Sequence, residues 1–238
     1  MDGVFRFKRF EVRNEASALK VGTDAVLLGS AMTLKPSDAS LLDIGTGTGV
    51  IALMAAQRLS DLGASFSIDA IDIDGPSAGE AAFNFAASPW KGHLSAGHAA
   101  LADFAAGAGE YDLIFSNPPY YDNSLTNPDA RETAARHTCL LSYRDICSFA
   151  DGHLSGRGRL SLILPYDAGT ALRRTAASFG LYPFRIVSIR TTAAKAPRRL
   201  IAEFSRDRAV SVAESSLTLQ DGSSRSAEYQ ALTGEFYL

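Results

Sequence analysis

The sequence predicts an α/β fold with a seven-stranded, mostly parallel sheet covered on both faces, closed by an antiparallel hairpin at its C-terminal end. Three features lead there. Short apolar runs alternate with helix-length segments from residue 40 onward, the pattern of strand and crossover helix. A glycine-punctuated turn, "LLDIGTGTGV", sits between the first of those strands and its helix. The last two apolar runs, Tyr182–Arg190 and Arg198–Arg206, are separated by "TTAAKAP", too short for a crossover helix, so they should pair antiparallel.

From the N-terminus, Phe5 to Val12 alternates apolar and charged residues and reads as an amphipathic strand with a basic outer side at Arg6, Lys8 and Arg9, Arg13 following. "KVGTDAVLLGSAM" opens with a Gly-Thr-Asp turn in which Thr23 or Asp24 can cap a helix over Ala25–Met32, with Pro36 ending it. "SLLDIGTGTGVIALMAAQRL" is strand, turn and helix, followed by a second strand in "SFSIDAIDID" and a second helix in "SAGEAAFNFAAS". Further strands are expected at Leu94–His98, Tyr111–Ser116 and Arg159–Leu164, with helices around Tyr143–Leu154 and Asp167–Phe179. Ala96–Gly109 and Ser211–Ser226 are rich in Gly, Ala and Ser and read as surface loops. No linker or repeat interrupts the chain, so residues 1–238 read as one domain: an N-terminal segment, 1–35, and a core, 36–238.

Composition narrows the function classes. With 23 basic against 26 acidic residues, the chain does not coat nucleic acid by bulk charge, so any such contact must be local. Cys139 and Cys147 stand eight apart without a CxxC pair or clustered histidines, which suggests neither a metal site nor a disulfide framework. A reduced cytoplasmic location follows, with no membrane span and no required protein partner evident.

Glycines at 45, 47 and 49 let a ligand approach the backbone where helix amides face it. Asp72 ends the second strand, 23 positions after Gly49, near the interval at which an acid meets ribose hydroxyls. Asp43, just before the turn, would repel a pyrophosphate and attract an ammonium group, so a zwitterionic, ribose-bearing ligand fits better than a dinucleotide.

This D-x-G-x-G-x-G turn with an acidic second-strand end resembles the class I S-adenosylmethionine-dependent methyltransferases, whose domain is Rossmann-like. The resemblance implies that Asp43, Gly45, Thr46 and Gly47 surround the methionine part of the cofactor and that Asp72 binds its ribose. Many such enzymes offer an acid to the cofactor adenine after the third strand; here "AGHAALADF" leaves the backbone near Ala99 or the side chain of Asp103 for that contact.

At the end of the strand before it, "NPPY" places Asn117, Pro118, Pro119 and Tyr120 on the edge where open α/β sheets bind ligands. The Asn117 side-chain oxygen and the Pro118 carbonyl can accept both hydrogens of an exocyclic amine, and Tyr120 can stack on the attached ring. The motif resembles that of amino-group methyltransferases acting on adenine N6, cytosine N4 or protein glutamine. Taken with "FRFKRFEVRNE", "KVGTDAVLLGSA" and "EYQALTGEFYL", it makes the whole chain similar to the bacterial valine-tRNA adenine N6-methyltransferases, which modify the adenosine next to the anticodon. The resemblance implies a tRNA substrate and a cofactor-covering role for Lys20, Gly22, Thr23 and Asp24. Charge layout suits RNA too: Arg6, Lys8 and Arg9 at the start, Arg131 and Arg136 after the tip, and Arg198 at the last strand are the expected RNA contacts. A protein-glutamine or DNA-adenine methyltransferase would be expected to carry an added domain for which the chain has no room. A nicotinamide-dependent dehydrogenase or a nucleotide-binding module leaves Asp43 and Asn117 unexplained.

Overall fold

The computed structural model describes residues 3–18, 20–118 and 141–238. The N-terminal segment folds as a hairpin rather than one strand: β1 (Val4–Arg6) pairs antiparallel with β2 (Glu11–Arg13). Phe7, Phe10 and Val12 are all buried, which one continuous strand cannot arrange because odd and even positions face opposite sides. The chain solves this with a tight turn in which the Phe7 N–H donates to the Phe10 carbonyl at 2.9 Å.

Helix α1 (Thr23–Ala31) follows, starting at Thr23 itself with Gly22 as its cap and no side-chain capping bond, so neither Thr23 nor Asp24 plays the expected capping part. The core then alternates as the sequence indicates: β3 (Ser40–Ile44), α2 (Val50–Asp61), β4 (Ser67–Asp72), α3 (Gly75–Ala87), β5 (Leu94–His98), α4 (Leu101–Ala105) and β6 (Tyr111–Ser116). After the segment outside the described residues come α5 (Tyr143–His153), β7 (Leu154–Pro165), α6 (Gly169–Ser178), β8 (Tyr182–Arg190) and β9 (Arg199–Ser205). Ser142 and Asp145 form a reciprocal capping box that starts α5.

The strands order as β10-β8-β9-β7-β6-β3-β4-β5, all parallel except β9, which runs antiparallel to both β7 and β8. The eighth strand, β10 (Ala213–Thr218), and a small hairpin of β11 (Gln220–Asp221) with β12 (Ser224–Arg225) come from the stretch expected to be loop. Only Leu217 of β10 is buried, so this edge strand is held by its backbone pairing to β8 and carries no apolar alternation to read. The stretch Ala96–Gly109, also expected as loop, includes the short α4.

Two cores flank the sheet. Leu27 and Leu28 of α1, Leu53 and Met54 of α2, and Ala81 and Phe85 of α3 pack on one face, joined by Tyr229 of α7 (Ala227–Thr233) and by Phe7 and Phe10 of the hairpin. Ile146 and Phe149 of α5 and Leu172 and Ala176 of α6 pack on the other. The two ends of the chain meet on the first face, where Phe7 stacks on Phe10 at 4.6 Å and on Tyr237 at 6.1 Å.

A polar network pins α1 to the sheet. Glu203 of β9, fully buried, accepts the Thr33 N–H and hydroxyl, both at 2.8 Å, and Arg185 Nη1 at 2.7 Å. Arg159 Nη2 donates to Asp38 at 2.7 Å and to the Thr33 carbonyl at 3.1 Å. Removing one partner leaves the others buried without compensation. Glu203→Ala should therefore lower unfolding stability by about 3 kcal/mol, checked by urea denaturation; a loss within experimental error would show that the network is not structural.

Candidate active site

Because β3 has β4 on one side and β6 on the other, the chain reverses its direction of travel across the sheet at β3, and the carboxyl ends of β3, β4 and β6 open a crevice there. The glycine turn occupies it. Gly45, Gly47 and Gly49 have φ of 71°, 56° and 80°, a region closed to most side chains. The Gly45 and Thr46 N–H groups donate to the Ile71 carbonyl at 2.8 and 3.0 Å, binding the turn to the end of β4. A Cβ on Gly49 would lie 2.5 Å from the Phe85 ring, so the third glycine serves the packing of α2 on α3.

Asp72 holds the turn from the side. One carboxylate oxygen accepts the Gly47 N–H at 2.8 Å and the other the Asp74 N–H at 2.9 Å. Burial outweighs these two bonds and raises its pKa above the ordinary carboxylate value. Asp74 is the N-cap of α3, accepting the Ser77 N–H at 2.9 Å.

Asp43 is fully buried beneath the turn. Its Oδ2 accepts the Thr46 hydroxyl at 2.7 Å, while Oδ1 has no hydrogen-bond partner among the described residues. Burial raises its pKa to about 7, the Thr46 bond opposing and the nearby Asp72 charge adding. An orphaned carboxylate oxygen next to an open glycine turn suits a ligand ammonium, the donor that the methionine end of S-adenosylmethionine carries.

The acceptor tip adjoins the turn. The Ser116 hydroxyl at the end of β6 donates to the Ile44 carbonyl at the end of β3, 2.6 Å, fixing the two strand ends together. Asn117 follows half-buried and Pro118 buried. Pro119, Tyr120, Arg131, Arg136 and Cys139 lie outside the described residues. Leu141, where description resumes, stands 3.9 Å from where a Gly45 Cβ would be, so the chain leaves and re-enters beside the glycine turn.

Residues 14–18 and 20–24, a strap before and at the start of α1, are held by anchors that were not legible in the sequence. Glu80 of α3, 4% exposed, accepts the N–H groups of Glu15, Ala16 and Ser17 at 2.7, 2.8 and 2.8 Å. Asn84 ties the Arg13 N–H and carbonyl to the Thr48 carbonyl of the glycine turn. Beyond α3, Lys20 Nζ donates to the Glu15 carbonyl at 2.6 Å, and Asp24 pairs with Arg199 of β9 at 2.7 Å. The segment is thus tied to α3 through Glu80 and, by way of Asp24, to β9. A polar Glu and Asn inside the otherwise apolar "SAGEAAFNFAAS" are the signal that could have revealed the α3 anchors.

Other expected site residues fall less neatly. The Ala99 N–H is spent on the Asp72 carbonyl at 3.0 Å. Arg6 pairs with Glu11, and Arg9 is held by both oxygens of Asp61 at 2.6 and 2.9 Å and sits over Trp90. Asp61 ends α2, one full helix away from the glycine turn, so Arg9 lies toward the opposite end of the sheet. Lys8 donates to the Gly234 carbonyl. Arg198, by contrast, is exposed at the start of β9, on the catalytic edge. Cys147 is buried, and burial pushes its thiol up to about 12, which leaves it inert. Among the described residues no cluster of His, Cys, Asp or Glu could hold a metal, and no helix is long and apolar enough to cross a membrane.

A sheet of this order with a ligand turn and an amide tip on one carboxyl edge defines a class I S-adenosylmethionine-dependent methyltransferase, and solved structures share its architecture. A predicted O-methyltransferase from Agrobacterium tumefaciens superposes with a TM-score of 0.66 at 19% identity, covering 90% of this chain and 96% of that one. The ribosomal protein L11 methylase of Lactobacillus delbrueckii gives 0.51 at 21% identity over 77% and 78%. The model for the methyltransferase small domain matches residues 16–163. A tRNA1(Val) (adenine(37)-N6)-methyltransferase of Bacteroides fragilis is 40% identical over 98% of this chain and 97% of its own length. The equivalent protein of Flavobacterium johnsoniae is 38% identical over 99% of both. The chain belongs to this family of tRNA1(Val) (adenine(37)-N6)-methyltransferases.

With Asp43 facing the cofactor ammonium, as the resemblance implies, cofactor binding should depend on pH. With its folded pKa raised from 3.8 to about 7, the native chain binds the extra proton between those values, so this group's contribution to stability falls as pH rises through that window. A bound cation favours the ionised form and must expel the proton below about pH 7. S-adenosylmethionine affinity should therefore fall about tenfold per unit below that point and level off above it, and Asp43→Asn should flatten the profile. Calorimetry across pH 5 to 8 checks this, and a flat wild-type profile would contradict it.

Proposed function

We propose that this protein transfers the methyl group of S-adenosylmethionine to N6 of the adenine at position 37 of a valine tRNA. The placement of Asn117 carries the reading. The Ser116 bond to the end of β3 sets an amide acceptor directly beside the glycine turn, where an amine and a methyl donor can meet. Near-full-length similarity to proteins named for that reaction supports the choice of amine and RNA.

S-adenosylmethionine, when bound, supplies an electrophilic methyl on a sulfonium with a neutral leaving group. Asp43, Gly45, Thr46 and Gly47 would hold its methionine end and Asp72 its ribose, the Asp72 carboxylate keeping lone pairs free beyond its two backbone bonds. The strap with Lys20, Gly22, Thr23 and Asp24 covers that crevice and limits water. The Asn117 carboxamide oxygen and the Pro118 carbonyl accept the two amine hydrogens. These bonds turn the nitrogen lone pair out of conjugation with the ring and toward the methyl position. Tyr120 is assigned the stacking partner of the adenine. No strong base is needed, because the amine proton is lost after the new bond forms and has become acidic.

Such a pocket takes an unstacked base. Turning out a loop base costs only a few kcal/mol, far less than breaking a paired helix. Arg131, Arg136 and Arg198 are proposed phosphate contacts around it; Arg6, Lys8 and Arg9 are given to anchoring the N-terminal hairpin by the bonds they make. A cytoplasmic location goes with a tRNA substrate.

Asn117→Ala should abolish turnover while leaving cofactor affinity within about twofold, since the amide faces the amine and a lost transition-state contact lowers kcat. Incubating wild type and variant with labelled cofactor and, in parallel, tRNA, DNA and a protein extract tests the assignment. Label in N6-methyladenosine from the anticodon loop supports it; label in DNA or glutamine overturns the substrate, and retained turnover in the variant overturns the role of Asn117.

A further inference from the structure

Two groups of cations contrast. The arginines of the N-terminal hairpin are neutralised within the chain: Arg6 by Glu11, Arg9 by Asp61 and Arg13 by Glu15. At the carboxyl end of β8 and in the link to β9 the opposite holds. Arg190, Lys195 and Arg198 form no side-chain hydrogen bond or ion pair among the described residues, and Arg190 Nε is buried without any partner. A buried, unsatisfied guanidinium nitrogen is costly, and it marks a position where an oxygen-rich partner would be welcome.

The sheet register places this link on the catalytic edge. Arg199 pairs with Pro165 at the end of β7 and with Ile189 at the end of β8, and the Arg198 carbonyl accepts the N–H of Tyr166. From β6, which ends at the Asn117 tip, β7, β9 and β8 follow in order, so the end of β8 stands about 14 Å away at ordinary strand spacing. Tyr166, 46% exposed, offers an aromatic face on the same edge. Arg199 is occupied by Asp24, and the exposed Asp167 is the carboxylate beside Tyr166, so the unpaired charges here are mostly positive.

We propose that the β8–β9 link is a phosphate-gripping arm for the RNA, in which Arg190, Lys195 and Arg198 hold the sugar-phosphate backbone flanking the target base and Tyr166 stacks on a neighbouring base. This rests on the tRNA reading above and adds to it where the RNA lies: across β7, β9 and β8 instead of over the hairpin. A chain of net charge −3 can bind a polyanion only by concentrating its free cations in one place, and this is such a place.

The test uses the full-length protein, its cofactor and an unmodified valine tRNA transcript. Binding is measured by fluorescence anisotropy from 50 to 200 mM salt for wild type, for Arg190→Gln/Lys195→Gln/Arg198→Gln, for Lys195→Gln alone, and for Arg173→Gln/Arg174→Gln on α6 as a charge control. The triple variant is expected to bind at least about tenfold more weakly, with a log–log salt slope shallower by about 2, and Lys195→Gln to lose about 0.7 of that slope. Cofactor affinity and the α6 control should stay at wild-type values, and the triple variant should melt no lower than wild type. Lys195 makes no side-chain bond among the described residues, so its effect survives any misfolding of the triple variant. Unchanged slopes in both variants, with wild type still methylating tRNA, would overturn the arm and leave the tRNA reading standing. An equal loss in the α6 control would overturn it as mere net charge. Wild type that binds cofactor but neither binds nor methylates tRNA would overturn both.

Discussion

The active edge depends on one half-buried carboxylate serving two loops. Asp72 accepts the Gly47 N–H from the turn after β3 and the Asp74 N–H from the turn after β4, so two separate ligand loops share one rigid hinge point. Without it, three alternating positive-φ glycines would lose the bond that holds the middle of the turn, and glycine's conformational freedom would be a cost instead of a use.

Around that point the fold uses buried polar groups as fasteners. Glu80 gathers three consecutive backbone N–H groups of the strap, and Asn84 joins the hairpin to the glycine turn. Glu203, Arg185 and Thr33 secure the far end of α1, and Asp24 with Arg199 secures its start. Each satisfies a group that would otherwise be stranded beneath the surface, so position and stability come from the same bonds. For Glu80 the backbone bonds overcome the effect of burial and hold its carboxyl below the ordinary value, so the strap is fastened at neutral pH and loosens only as the carboxylate is protonated in acid.

What could be read from the sequence was what local chemistry dictates. Gly45, Gly47, Asp43, Asp72 and Asn117 stand out because each lies at or next to a strand end, where the structure also has them, and the alternation of strands and helices follows from periodicity. The fasteners did not, since their partners are distant in the chain: Glu80 lies 65 residues from Glu15, and Glu203 lies 170 from Thr33. Nothing local distinguishes such a carboxylate from a solvated one. The counter-charge of Arg9 was hidden for the same reason, lying 52 residues away on the end of α2. The edge strand β10 escaped because only pairing with β8 makes it a strand, and the hairpin because the burial of Phe7 and Phe10 together requires a turn that alternation alone does not mark.

The shared hinge at Asp72 is open to direct measurement by amide hydrogen exchange at Gly47 and Asp74, which reports local opening at each hydrogen-bonded N–H. Comparing wild type with Asp72→Ala, both amides should lose protection together, by about tenfold or more, while the interior amides of β4 keep theirs, and S-adenosylmethionine affinity should fall in the same variant. Unchanged protection at both amides with cofactor affinity retained would show that the turn is held by other bonds, and would contradict the account of the active edge at its base.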